Sequence, residues 1–117
     1  MADLRREGDD LVLALTTAEK AESLHGDIRV PFASVVGVEV VDDIIHQVHG
    51  FKLAGSAWPG RFMIGTLTHS DQKKSFAVVH HQTPRGVRVR LNEAAYSELL
   101  VGCADPEAVA ASLAPRT

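Results

Sequence analysis

The sequence predicts a mainly β domain: seven antiparallel strands bent into a barrel and closed by one C-terminal helix. Three observations carry this. Apolar residues recur with a period of two in segment after segment, the pattern of a strand with one buried face. Polar stretches such as "HSDQKK" and "QTPRG" punctuate those segments like turns between neighbouring strands. Only the last segment, "DPEAVAASL", carries a helix start signal together with helical spacing. An open sheet of seven strands leaves edges exposed, and curling it into a barrel removes most of them.

The strands follow in order. "DLVLALT" places Leu11, Leu13 and Leu15 on one face, and "TAEKAESLHG" reads as a short helical turn stopped at Gly26. "DIRVP" alternates Ile28 and Val30 with Asp27 and Arg29 and ends at Pro31; "VVGVEVVDD" directs Val36, Val38 and Val40 one way. From Ile44 to Gly60 the period is lost. Three glycines and a proline mark a long loop with a helical turn near Ile44 to Val48. Alternation resumes in "RFMIGTLTH", "KSFAVVHH" and "GVRVRLN", the last with Arg88 and Arg90 facing outward. "AYSELLVGC" is compatible with strand or helix, and its place after a turn favours a seventh strand. Asp105 then caps the helix, Pro106 opens it, and Val109 and Leu113 share its apolar stripe. The domain runs over residues 10–113, between a flexible N-terminus (1–9) and a flexible tail (114–117).

Size and charge narrow the function. A chain of 117 residues is one domain by the usual prior and buries a core without staples. Its net charge of −3 offers no concentrated basic patch, which argues against nucleic acid and acidic membranes. The single cysteine, Cys103, suits a reducing compartment, and neither a signal peptide in "MADLRREGDD" nor a membrane-length apolar run is present. The expected location is the cytoplasm.

In "IRVPFASVVGVEVVDD", "PGRFMIGT", "KSFAVVH", "GVRVRLN" and "DPEAVAASL", taken in that order, the chain resembles small bacterial domains of the pleckstrin-homology-like fold. The resemblance spans about residues 10–113. It implies a seven-stranded bent barrel with a C-terminal helix, used for binding and assembly rather than catalysis, and so no enzyme activity. Phosphoinositide binders of that superfamily gather cations between their first two strands. Here "TAEKAESLHGD" sets Lys20 against Glu19, Glu22 and Asp27, which disfavours phosphoinositide.

Two constellations compete for function. If residues 42–49 were helical, Asp42, His46 and His49 would share one face at a chelating spacing for zinc or a similar ion. His80 and His81 point to opposite faces of a strand, so they cannot serve one ion together. His69 ends the preceding strand, an arrangement compatible with proximity to either and equally with hydrated rim histidines. The competing account makes all of these surface residues and expects no cofactor. Cys103 precedes a helix N-terminus, which would lower its pKa, but follows an apolar run that would bury it. "GFKLAGSAWPGRF" sets Trp58 beside Phe51 in a glycine-rich loop, either a binding surface or a barrel plug. With Arg88 and Arg90, these aromatics form the expected binding set. The leading expectation is a protein-binding or self-associating module; the alternative is a metal-binding barrel.

Overall fold

The computed structural model describes residues 2–113, so the expected C-terminal tail lies outside the described residues. The fold is mainly β with a C-terminal helix, as the sequence indicates. The barrel expectation fails. Among the described residues nine strands form two separate sheets, and one pairing is parallel.

The first sheet contains β1 (Asp3–Glu7), β2 (Asp10–Ala14) and β3 (Ile28–Pro31) in that order, all antiparallel. Residues 3–7, expected as part of a flexible N-terminus, pair with β2 throughout their length. Their charges hide the strand, since only Leu4 of β1 is buried. Helix α1 (Thr17–Ser23) links β2 to β3. Thr16 and Glu19 form a reciprocal capping box at its start, and the helix ends on Leu24 in the left-handed conformation (φ 57°), two residues before Gly26.

The second sheet has the order β4 (Val35–Val41), β8 (Gly86–Leu91), β9 (Glu98–Gly102), β7 (Lys74–His80), β6 (Phe62–Thr68) and β5 (Phe51–Trp58). Strand β9 inserts between β7 and β8, antiparallel to β8 and parallel to β7. The "QTPRG" segment therefore joins strands separated by a third, and the expected hairpin is absent. The reason is visible in "ELLVG": Leu99 and Val101 enter one core while Leu100 enters another. A strand apolar on both faces belongs in the middle of a sheet. The parallel neighbour ends the up-and-down arrangement that closure would need.

Strand β5 replaces about half of the expected loop. It pairs with β6 through a bulge between Lys52 and Ala54, and Gly55 lies opposite Gly65, both at positive φ (116° and 152°). A Cβ on either would collide with the facing backbone, so two glycines are required where the strands approach.

Two cores result. The larger joins Leu4, Leu11, Leu13, Ile28 and Val30 of the small sheet to Phe76, Val78, Val87, Val89, Leu99 and Val101 of the large one. Helix α2 (Pro106–Leu113) closes it with Leu113, and the Ala108 N–H donates to Asp105 Oδ1 (3.2 Å), the anticipated cap. On the other side of the large sheet, a 3-10 turn (Ile44–Gln47) lays Ile44 and Ile45 over Met63, Leu67, Ala77, Val79 and Leu100.

Candidate functional site

The 3-10 turn covers only part of its face. Register shows what lies beyond it. One row across the sheet reads Gly37, Arg90, Glu98, Ser75, Leu67, and the next reads Glu39, Arg88, Leu100, Ala77, Gly65. Within an otherwise apolar alternation, Glu39, Arg88, Arg90, Glu98 and Ser75 therefore fall on one face. They occupy the half that Ile44 and Ile45 do not reach.

These side chains pair with one another, leaving Arg88 Nε as the one buried side-chain nitrogen or oxygen among the described residues without a hydrogen-bond partner. Arg88 donates to Glu39 Oε1 (2.9 Å) and Gln47 Oε1 (3.0 Å), and its Nε stands 3.4 Å from Glu98 Oε2. Arg88 and Glu98 keep only 16% and 15% of their side-chain exposure, so this pair is far from a loose surface bridge. Arg90 adds a bond to Glu39 (3.1 Å). The two arginines expected as binding residues are thus held by cross-strand carboxylates, and Arg88 ties the 44–47 turn to the sheet through Gln47.

At the end of this polar row stand two histidines. His69, two residues past Leu67, hydrogen-bonds through Nε2 to the hydroxyl of the buried Ser75. His49 donates from Nδ1 to the carbonyl of Gln47 (3.0 Å), which leaves Nε2 with its lone pair. The two rings lie 4.6 Å apart. Gly50, at φ 98°, makes the approach possible, because a Cβ there would sit 2.7 Å from Thr68 O and 2.8 Å from His69 Nδ1. His49, His69 and Glu98 offer ligand atoms that all lie within 4.8 Å of one another. They line an open groove of about 460 Å³ with Phe51, Asp71 and Lys73.

The expected Asp42, His46, His49 arrangement is not assembled. Asp42 accepts from Arg85 (3.1 Å), His46 pairs with Asp43 (2.7 Å), and His49 turns toward His69. A short 3-10 turn replaces the regular helix that the spacing needs. Nor does His69 approach His80 or His81. In the β6–β7 hairpin Thr68 faces Lys74 while Phe62 faces His80, so His69 and His80 stand at opposite ends of the pair. His81 instead contacts the Arg61 carbonyl through Nδ1 (3.1 Å).

A second feature borders the first. Trp58 is 62% exposed, Phe51 74% and Leu53 57%, all on edge strand β5. Trp58 therefore plugs no core. It lines a groove of about 440 Å³ with Ile45, Val48, Pro59, Phe62 and Met63, between the 3-10 turn and the β5–β6 hairpin. Four strands have a free edge, and three are guarded. β1 is charged at four of five positions, β3 is four residues long and ends in Pro31, and β4 carries the clamped Glu39 beside its exposed Val36 and Val40; β4 and β5 each carry a bulge, so the bulge does not tell them apart. β5 has eight residues, one charge (Lys52) and three exposed large apolar side chains.

Cys103 is half-buried and its thiol is pushed above the ordinary value, first by burial and further by Asp105 and Glu107, against a smaller opposing backbone hydrogen bond from Val87. The helix beginning at Pro106 does not activate it. Lys20, isolated among acids in the sequence, stands 3.6 Å from Asp27. No described helix is long and apolar enough to cross a membrane. No protein-family model, curated protein or solved structure matches this chain.

Proposed function

We propose that this chain is a non-enzymatic binding and assembly module, related to pleckstrin-homology-like domains, that pairs through the β5 edge with a second copy of itself. The observation that carries the reading is the apolar, nearly uncharged edge: Phe51, Leu53 and Trp58 exposed on a strand with a single charge, on either side of its bulge at Lys52–Ala54. An edge strand presents a row of backbone donors and acceptors, and strand addition satisfies them while covering apolar side chains. A twofold pairing of β5 with β5 brings like apolar surface together, and one lysine per strand opposes it weakly. The pleckstrin-homology-like kinship rests on motif order and on the C-terminal helix packed against both sheets, while the two sheets and the parallel β7–β9 pairing depart from the barrel it implies.

Sedimentation velocity over a wide concentration range tests this. The wild-type chain is expected to form a concentration-dependent dimer. Phe51→Asp and Trp58→Asp, which place charge on solvated positions, are expected to shift it to monomer with an unchanged circular dichroism spectrum. A wild-type monomer at every concentration overturns the reading, as does a dimer indifferent to both substitutions.

A further inference from the structure

We propose that His49, His69 and Glu98 form a binding site for one divalent transition-metal ion, zinc being the best chemical fit. Two imidazoles and a carboxylate, with no thiolate near, are a donor set for zinc and its borderline neighbours rather than for soft ions or calcium. Their ligand atoms stand within 4.8 Å of one another. A tetrahedral site with bonds of about 2.1 Å needs donors about 3.4 Å apart, so the side chains close by at most about 1.4 Å. His49 is exposed and free to make that movement.

The surroundings are arranged as ligand supports. The His49 Nδ1–H given to the Gln47 carbonyl fixes the tautomer and frees Nε2. His69 Nε2 is engaged by the Ser75 hydroxyl, and in the tautomer that donates to Ser75 the ligating nitrogen is Nδ1, the one beside Gly50. Glu98 is steered by Arg88, whose charge is already divided among Glu39, Gln47 and Glu98. The three ligands come from three places in the chain: the end of the 3-10 turn, the end of β6 and the start of β9. An ion here would cross-link the 47–50 segment to the large sheet. Three protein ligands in an open groove also leave a coordination position for water or an anion.

The test uses the full chain, purified without an affinity tag, stripped with chelator and titrated with Zn²⁺ against a chromophoric competitor. One ion per chain is expected, with His49→Ala weakening binding about tenfold or more. Glu98→Gln is expected to weaken it similarly, but it also touches Arg88. The exposed His49→Ala variant, with an unchanged circular dichroism spectrum, therefore decides. A variant lacking both His46 and His81 (His46→Ala, His81→Ala) should bind as the wild type does. Absence of stoichiometric binding overturns the proposal. So does His49→Ala with wild-type affinity, or loss confined to the His46, His81 variant. Neither result bears on the β5 edge, whose test contains no metal.

Discussion

The two faces of the six-stranded sheet are made by the same strands in alternation, yet they are finished in different ways. One face sends Phe76, Val78, Val87, Val89, Leu99 and Val101 into a core sealed by the small sheet and α2. The other is covered mainly by Ile44 and Ile45, with Val41 and Val48 packed beside them, and where that cover stops the sheet turns polar through Glu39, Arg88, Glu98 and Ser75. A face that cannot be covered has to be hydrated or internally paired, because charges in a sheet interior are costly without partners. Here the paired charges stand beside two histidines and border an apolar edge. Both candidate sites lie where the cover ends.

If the first face dominates stability, Phe76→Ala costs about 3–5 kcal/mol, while Ile44→Ala on the cap costs about 2–4 kcal/mol. Urea denaturation of both variants ranks them. A cost for Ile44→Ala equal to that of Phe76→Ala would erase the distinction and make the cap part of the main folding unit. A finer probe of the cap is Gly86→Ala. Its Cβ would collide with Val101 O and meet Ile44 Cδ1 at 2.7 Å, so the bare backbone of Gly86 is the seat of Ile44. Overpacking there is expected to cost about 1–3 kcal/mol. Combining it with Ile44→Ala should relieve only the side-chain part of the clash. Full relief would show that the backbone shifts freely.

Arg88 and Arg90 sharpen the polar half. Arg88→Ala removes charge-assisted bonds from a mostly buried pair and is expected to cost about 1–3 kcal/mol. It should also raise amide exchange across residues 44–49, since the Gln47 tether is lost. Arg90→Ala breaks only an exposed bridge and should stay within about 0.5 kcal/mol of wild type. Equal costs for the two would mean that Arg88 gains nothing from its burial.

Six strands were legible in the sequence by their period of two, β2, β3, β4, β6, β7 and β8, although β6 and β7 are buried on both faces. So was α2, whose cap and stripe are local. Strand β1 was missed because charge outweighs its one buried leucine, and β5 because its outer side faces solvent and two of its neighbours must be glycine. Closure was misjudged for a different reason. Sheet order depends on which strands are apolar on both faces, and "ELLVG" announced this without being read so. The candidate site was half legible. His49 and His69 stood out by residue type, but Glu98 lies 29 positions beyond His69 and meets it only because β9 inserts beside β7. A charged residue out of step with an apolar strand was the available signal. Alternation placed Arg88 and Arg90 on one strand face, but their expected role as binding residues gives way to capture by Glu39.

The smallest expected effect concerns the exposed ion pairs and runs through pH. Glu107 is held below the usual carboxylate range, first by the Arg85 guanidinium and then by its own backbone N–H. Asp27 is lowered mainly by the N–H of Leu15, and Glu7 mainly by Arg5. For each, the folded state binds its proton less readily than the unfolded chain. The stability contributed is therefore present above the unfolded value, about 4 for carboxylates, and lost as pH falls through the lower folded value. The melting temperature should hold near neutral pH and decline below about pH 4. Glu107→Gln should flatten part of that decline while changing neutral stability little, and added salt should flatten it further, because these pairs are solvated. A decline of undiminished steepness in Glu107→Gln would assign the acid limb to the other carboxylates. Among them, Asp27, lowered mainly by the N–H of Leu15, would then be the first to replace.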